Sequence, residues 1–179
     1  MRVIGGRLRG RPVRAVRAAG LRPTADRVRE ALFNLLGDAV MGARVLDLYA
    51  GTGALAVEAL SRGALAATCV ERDARVLAAL AANVAALELT ADVTVTRADA
   101  LAFCRRVAAN GTRFDLVLCD PPYATPLDPL ARALVEQPWW ERVCVVEHAA
   151  SATWPAIGGG LERDTRRYGD TALSLFWRA

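Results

Sequence analysis

The feature that most constrains the fold is a regular alternation of short apolar runs with longer segments of helical spacing. The runs predict strands at 43–49, 67–71, 92–96, 114–120 and 142–148, and the other segments predict helices at 24–37, 54–62, 73–87, 99–109 and 128–137. A strand that returns to its sheet through a helix runs parallel to the strand before it. The alternation therefore predicts an α/β domain in which helices cover both faces of a mostly parallel sheet.

The C-terminal segment 161–179 departs from this alternation. It holds two β-like runs around Tyr168-Gly169-Asp170, which predicts a hairpin and hence a seven-stranded sheet with an antiparallel C-terminal strand pair. A chain of 179 residues that is 54% apolar suits one such domain. We therefore divide it into a basic N-terminal arm, 1–22, and a single domain, 23–179, on which helix 24–37 packs.

Composition excludes several classes of protein. No apolar stretch reaches the roughly 18 residues of a membrane span, and the N-terminus lacks the apolar core of a signal peptide. We expect a cytoplasmic protein with no membrane partner. None of the four cysteines forms a C-x-x-C pair, and the chain has one histidine, so no metal is expected. The cysteines are interpreted as structural thiols.

The charge of the chain is concentrated at its N-terminus. Residues 1–30 hold nine arginines against two acids, a local net charge of +7 in a chain of +4. Such asymmetry favours a nucleic acid as partner, and a solvated basic tail is the alternative. The first 17 residues contain no acid, which predicts a mobile arm. The alternative is a hairpin in which Val3, Ile4 and Leu8 pack on the domain.

A glycine turn follows the first predicted strand. Gly51 and Gly53 permit close approach of a ligand to the next helix N-terminus, and Glu71 ends the second strand, where a carboxylate can bind ribose hydroxyls. The spacing satisfies the relaxed dinucleotide pattern, whereas Asp47 suits the amine of S-adenosylmethionine (SAM). SAM and NAD remain alternatives on these residues. Asp99 is interpreted as an adenine contact, a helix N-cap, or both.

The sequence Asp120-Pro121-Pro122-Tyr123 ends the fourth predicted strand, beside the glycine turn. An exocyclic base amine is a poor nucleophile, and two acceptors aimed at its N–H groups stabilise the positive charge that develops on methylation. Asp120 supplies one acceptor and the Pro121 carbonyl, stiffened by Pro122, supplies the other. Tyr123 stacks on the base. The pattern favours amine methylation over the alternative of a simple turn.

Taken together, "RVIGGRLRGRPV", "LRPTADRVREALFNLL", "VLDLYAGTGALAVEALSRGA", "DLVLCDPPY" and "YGDTALSLF" resemble the RsmD-type methyltransferases over nearly the whole chain. These enzymes use SAM to modify N2 of a guanine in bacterial 16S ribosomal RNA. The resemblance implies a Rossmann-like class I methyltransferase fold, SAM as cofactor and 16S rRNA as partner. The substrate is expected within a small-subunit particle, and the protein is expected to be a monomer.

The resemblance also implies roles for individual residues. Catalysis is expected at Asp120, Pro121, Pro122 and Tyr123. Cofactor contacts are expected at Asp47, Tyr49, Ala50, Gly51, Gly53, Glu71, Arg72, Asp99, Ala100 and Asp120. RNA contacts are expected at Arg7, Arg9, Arg11, Arg14, Arg22, Thr24 and Arg27.

Other functions stay open at this point. A DNA or RNA adenine-N6 methyltransferase also uses Asp-Pro-Pro-Tyr, although 179 residues leave little room for a separate recognition module. An NAD-dependent dehydrogenase is the alternative from another enzyme class. A non-catalytic RNA-binding module is the alternative outside enzymes, and the intact Asp-Pro-Pro-Tyr argues against it.

Overall fold

A computed structural model describes residues 1–15, 26–135, 139–155 and 161–178. Its centre is a seven-stranded sheet with the order β3-β2-β1-β4-β5-β7-β6. The strands are β1 (Arg44–Leu48), β2 (Ala66–Glu71), β3 (Val93–Arg97), β4 (Phe114–Cys119), β5 (Trp140–Ala149), β6 (Glu162–Tyr168) and β7 (Thr171–Trp177). The first five strands lie within about two residues of their predicted positions, because strongly apolar runs have clear boundaries, and β6 and β7 flank the predicted turn at 168–170.

The helices also agree with the sequence pattern. They are α1 (Asp26–Leu36), α2 (Ala54–Ser61), α3 (Ala74–Ala86), α4 (Ala100–Asn110) and α5 (Leu127–Val135). A short 3-10 helix, Gly37–Val40, extends α1 beyond its predicted end. Thr24, where the first helix is predicted to begin, lies outside the described residues. Within the described ranges, no helix combines the length and apolarity needed to cross a bilayer.

The sheet confirms the predicted α/β fold. β1 pairs in parallel with β2 and β4, and β4 pairs in parallel with β5. β7 pairs antiparallel with both β5 and β6, so it alone runs against the rest of this sheet. The strand order reverses between β1 and β4, and such a switch point opens a crevice at the carboxyl ends of the strands.

Strand alternation directs side chains to two cores, one on each face of the sheet. The first core contains Val45, Leu118 and Val145, and α2 packs on it with the N-terminal segment. The second contains Leu46, Val117 and α4 residues such as Phe103. All four cysteine thiols are unpaired and buried in these cores, which confirms their structural interpretation.

The N-terminal segment forms a hairpin, hereafter the arm hairpin, residues 1–15. Val3 N donates to Arg11 O at 3.0 Å, Gly10 N donates to Val3 O at 2.9 Å, and Val13 N donates to Met1 O at 3.0 Å. Val3 and Val13 are both buried within the first core. The expectation of a mobile arm is therefore wrong for these residues, and the packed-hairpin alternative is confirmed. The prediction of a mobile arm rested on the number of charges alone. The apolar side chains between the arginines are buried on folding, and this burial stabilises the hairpin.

A buried ion pair attaches the arm hairpin to the domain. Glu58 in α2 accepts hydrogen bonds from Ile4 N and Gly5 N, both at 2.8 Å. The same carboxylate lies 2.8 Å from Arg62 Nε and 3.7 Å from Arg29 Nε. Glu58 and Arg29 are each 1% exposed, so their charges are withdrawn from water and depend on one another.

Candidate active site

The glycine turn between β1 and α2 brings the backbone close to the strand ends. Gly53 caps α2 in the left-handed conformation, and a Cβ there would lie 3.2 Å from Leu80 Cγ. Tyr49 is also left-handed, with φ of 61°. By strand alternation its side chain would share a face with Asp47, yet it packs against the core on the opposite face. The unusual φ thus separates the two side chains.

Asp47 is the most buried of the predicted cofactor residues. It is 1% exposed, and its Oδ2 accepts a hydrogen bond from Ala56 N at the start of α2 at 3.0 Å. Burial, with smaller contributions from the charges of Asp120 and Glu71, raises the pKa of Asp47 to about 8. Asp47 already accepts the Ala56 N–H that a pyrophosphate at this helix N-terminus would need, whereas an ammonium group beside Asp47 would favour its ionised form.

Glu71 is held in place by the turn that it faces. Its Oε2 accepts from Gly51 N at 3.1 Å, and its Oε1 accepts from Asp73 N at 2.8 Å. Both carboxylate oxygens therefore have a fixed orientation at the end of β2. An ionised carboxyl held beside a glycine turn can accept further hydrogen bonds from two vicinal hydroxyls, as in a ribose.

A second group of predicted residues lies toward β3. Asp99 is the N-cap of α4, with its Oδ1 accepting from Ala102 N at 2.9 Å, so the capping interpretation is confirmed. Ala100 is buried at the start of that helix. Burial raises the pKa of Tyr49, and the charges of Asp99 and Arg72 act on its hydroxyl. Tyr49 packs against the second core, as do Ala98 and Leu101 on either side of the Asp99-Ala100 pair, so it lies on the face of the sheet where the adenine contacts are expected.

The Asp120–Tyr123 segment leaves the sheet at the switch point. Asp120 N still donates to Leu48 O of β1 at 3.4 Å, so the alternation of side-chain directions along β4 continues to Asp120. Pro122 O accepts from Thr125 N at 2.8 Å, so this carbonyl belongs to a turn. Pro121 is buried, and the Tyr123 hydroxyl contacts Thr171 Oγ1 while its side chain is 40% exposed. The tyrosine is held at its hydroxyl and presents its ring.

The strand ends carry a row of acids on one face of the sheet, hereafter the acid row: Glu71, Asp47, Asp120 and Glu147. These residues belong to or directly follow β2, β1, β4 and β5, which are adjacent in that order. Cys119 pairs with Val146, so Asp120 and Glu147 are the next facing pair and point to the same side. Asp47 lies two residues further from the carboxyl edge of the sheet than this facing pair. Electrostatic coupling links Asp47 to Glu71 and Asp120, and Asp120 to Glu147.

Glu147 is the member that the sequence analysis missed. It is 8% exposed, and burial together with the charge of Asp120 raises its pKa to about 8. The apolar run "RVCVVEH" predicts a strand and does not by itself mark this acid. The sequence does place Glu147 at a spacing of two from Val143 and Val145, which means that this acid shares a strand face with core residues. His148, its neighbour, has structural contacts: Nε2 lies 2.9 Å from Ser174 Oγ and Nδ1 lies 3.0 Å from Ala149 O.

The predicted RNA-contact residues are spread over the molecule. Arg7 lies 3.5 Å from Asp92, whose carbonyl accepts the N–H of Ala67 at the start of β2. The hairpin tip therefore lies where the strands begin, about 17 Å from the acid row for a five-residue strand. Arg11 donates to Ala86 O at 3.0 Å. The remaining members are Arg9, Arg14 and Arg27, which are exposed, and Arg22 and Thr24, which lie outside the described residues.

Arg14 connects the arm hairpin to the glycine turn. Its backbone N donates to Asn83 Oδ1 at 3.0 Å, and Asn83 Nδ2 donates to Arg14 O at 2.9 Å. The same amide donates to Thr52 O at 3.0 Å. Asn83 is buried, so one side chain shielded from water holds both segments. The C-terminal end of the described arm is thus close to the site although its tip is distant.

The sequence of the chain is similar to that of a known family and of named relatives. The family model described as Conserved hypothetical protein 95 matches residues 1–177. An Escherichia coli K12 relative named Ribosomal RNA small subunit methyltransferase D is 41% identical over 160 residues, covering 88% of this chain and 79% of its own.

Solved structures give the same result for the fold. The Escherichia coli protein yhhF has a TM-score of 0.85 and 35% identity, with 99% of this chain and 97% of that chain covered. SMU.776, solved in complex with SAH, has a TM-score of 0.65 at 20% identity, with 88% of this chain and 50% of that chain covered. The second likeness concerns the fold alone.

Proposed function

We propose that this chain, which belongs to the Conserved hypothetical protein 95 family of RsmD-type methyltransferases, methylates the N2 amine of a guanine in small-subunit ribosomal RNA. The observation that carries the proposal is the position of Asp120 and Tyr123. They leave the sheet at the switch point, beside the glycine turn that borders the expected cofactor position. The name of the Escherichia coli relative supports the RNA substrate.

The residues after β4 suit an amine nucleophile. An N2 amine has two N–H donors and a lone pair delocalised into the base. It therefore needs hydrogen-bond acceptors that pull the nitrogen towards a pyramidal geometry, in which the lone pair can attack. Asp120 is one acceptor at the end of the sheet. The Pro121 carbonyl is the other, since the neighbouring Pro122 carbonyl already accepts from Thr125 N. Both acceptors are held before the base arrives, which lowers the cost of reorganisation.

Tyr123 positions the base. Its hydroxyl contacts Thr171 at the start of β7, so the ring is anchored at one end. The side chain remains exposed and can receive the face of a base that has left its stack. The hydroxyl therefore serves orientation, and the aromatic face serves binding.

The site fits SAM as cofactor. When bound, SAM supplies a methyl group on a positively charged sulfonium. Asp47 would hold its amine, because within the described ranges no positive charge offsets the burial of this carboxyl. Glu71 would hold the ribose, and Tyr49, Arg72, Asp99 and Ala100 would border the adenine. Ala50, Gly51 and Gly53 let the backbone approach.

The remaining partners follow from the substrate. Exposed arginines Arg9, Arg14 and Arg27 would neutralise RNA phosphates, while the pocket selects the base. Arg7 and Arg11, which have contacts within the chain, would add weaker contributions. We place the reaction in the cytoplasm, on RNA within a small-subunit particle, and expect the protein to act as a monomer.

The cofactor assignment is tested by calorimetry with SAM and NAD in parallel. SAM should bind and NAD should not, because the acid row attracts a cation and repels a pyrophosphate. Glu71→Ala should weaken SAM binding by about 1–3 kcal/mol, the worth of a hydrogen bond to a charged group. Glu30→Ala, an exposed acid of α1, is the matched control and should leave affinity unchanged. Tight NAD binding without a response to SAM refutes the assignment.

The substrate is tested by transfer of labelled methyl groups. Small-subunit particles lacking this modification, and RNA extracted from them, are incubated with the protein and SAM. Nuclease digestion and mass spectrometry should identify N2-methylguanosine at one position, with particles reacting faster than extracted RNA. Methyl groups found on adenine, or no transfer to either substrate, would show that the proposed function is wrong. Sedimentation of the active protein tests the monomer.

A further inference from the structure

Glu147 has no role in the function proposed so far, and its surroundings are unusual for a structural acid. It is 8% exposed, and within the described ranges its Oε2 has no hydrogen-bond partner. A buried carboxylate oxygen that lacks a partner is costly, so its retention calls for an explanation, and a bound ligand is one. The acid of β4 that faces it, Asp120, raises the cost further through charge repulsion.

The position of Glu147 relative to Asp120 suggests what this ligand is. The two acids are facing neighbours on parallel strands, next to the Cys119–Val146 pair, and both project toward the side that carries Asp47. Neighbouring strands lie about 4.8 Å apart. The site therefore offers two carboxyl groups side by side, at a spacing that suits two adjacent N–H donors of one planar molecule.

Guanine has such a pair of donors. Its N1–H lies beside the N2 amine, whereas adenine and 2-aminopurine have a lone pair at N1. An ionised carboxyl at N1 accepts a hydrogen bond from guanine and repels the lone pair of the other two bases, and the N1–H donor itself favours this ionised form over the neutral one. Asp120 and the Pro121 carbonyl alone suit any exocyclic amine, so they do not distinguish these bases.

We infer that Glu147 selects guanine by accepting the hydrogen bond of its N1–H while Asp120 holds the N2 amine. The inference rests on the proposed function, because it concerns the base in the same pocket. As methylation proceeds, positive charge spreads from N2 to N1, as in a guanidinium group. The two carboxylates then face two N–H donors in the manner of an arginine–carboxylate pair. Glu147 is thus a specificity-determining residue beside the reacting amine.

The test uses small-subunit particles reconstituted with RNA that carries guanosine or 2-aminopurine riboside at the methylated position. 2-Aminopurine keeps the 2-amine and lacks N1–H. At about pH 9, where a Glu147 with a pKa of about 8 is ionised, the wild-type protein should prefer guanosine by about 10- to 150-fold in kcat/KM, the value of one hydrogen bond to a charged group. Glu147→Gln should reduce this preference to a few-fold, because a glutamine amide can also donate to the N1 lone pair. Glu141→Gln, an exposed acid on the same strand, is the matched control and should keep the preference.

The outcomes separate the inference from the function on which it rests. If wild-type protein methylates no small-subunit guanine, the proposed function fails before any variant is made. If it methylates both bases equally well, or if Glu147→Gln keeps the preference, Glu147 does not select guanine. A Glu147→Gln protein that binds SAM but loses activity on both bases equally also refutes the inference, since that result assigns Glu147 to catalysis. SAM binding by each variant verifies folding.

Discussion

The acid row and the arm hairpin are both rich in ionisable side chains, but the two sets of side chains differ in their exposure to water. In the acid row, charged side chains are withdrawn from water, Asp47 and Glu147 most of all. In the arm hairpin, arginines 2, 7, 9, 11 and 14 are exposed, and Val3, Leu8 and Val13 carry the packing. The acids of the first region are fixed by the strands of the sheet, whereas the charges of the second region lie on a surface ordered by apolar contacts.

The comparison shows that charge density does not predict order. The arm hairpin is strongly basic, yet its backbone donors reach buried acceptors. Ile4 N and Gly5 N bind Glu58, and Leu8 N binds Ser61 Oγ at 2.9 Å. Val3, Leu8 and Val13 are buried in the first core, and these hydrogen bonds hold the backbone between them on α2.

The largest expected effect concerns the anchor of the arm hairpin. Glu58→Ala should reduce the free energy of unfolding by about 3–5 kcal/mol, because it leaves buried Arg29 with only the exposed Asp26 as acidic partner and deprives two backbone N–H groups of an acceptor. Denaturant unfolding measures the change. Glu30→Ala, an exposed acid in α1, should shift it by less than about 0.5 kcal/mol. Equal effects of the two variants would mean that exposed charge, rather than this pair, holds the arm.

The corresponding change in the acid row should affect rate and spare stability. Asp120→Ala should lower kcat by about 100- to 1000-fold, the usual cost of removing one preorganised polar contact to a reacting group. SAM affinity should stay within a few-fold, because the interaction forms mainly in the transition state. Asp128→Ala, an exposed acid in the first turn of α5, is the control. A methyl-transfer assay showing equal rates removes Asp120 from the mechanism.

Two glycines of the arm hairpin separate packing from backbone strain. Gly6 and Gly10 both have positive φ, 72° and 83°. A Cβ on Gly6 would lie 1.8 Å from Ser61 O, whereas a Cβ on Gly10 meets nothing within 4 Å. Gly10→Ala should therefore cost only the left-handed strain, about 1–2 kcal/mol, and Gly6→Ala should cost clearly more. Similar melting temperatures for the two variants would show that the hairpin tip does not pack on α2 in solution.

The smallest effect on folding is expected from the exposed arginines. Arg9→Ala combined with Arg14→Ala should change the free energy of unfolding by less than about 0.5 kcal/mol, since both side chains are exposed. RNA binding should weaken, and the slope of log K against log salt should decrease by roughly 0.7–0.9 for each phosphate that the variant no longer neutralises. Binding titrations at several salt concentrations measure the slope. An unchanged slope would mean that these arginines do not contact RNA.

Sequence patterns predicted most of the site because its members lie at strand ends. Glu71 and Asp120 each follow an apolar run directly, and parallel strands bring their carboxyl ends to one edge of the sheet. Glu147 is of the same kind, but it lies within its apolar run and one residue before the only histidine. The acid that faces it, Asp120, is 27 positions earlier in the chain. Only the register of β4 on β5 shows that the two acids face each other.

The sequence by itself determined the order of strands and helices, the position of the glycine turn, and the chemistry available in Asp120–Tyr123. These properties depend on local periodicity and on the conformational limits of glycine and proline, which are encoded within a few residues. The tertiary structure alone decided that the arm hairpin is packed, that Asn83 connects it to the glycine turn, and that Glu147 stands beside Asp120. Those contacts join residues far apart in the chain, and burial and strand register, which bring them together, arise only when the whole core forms.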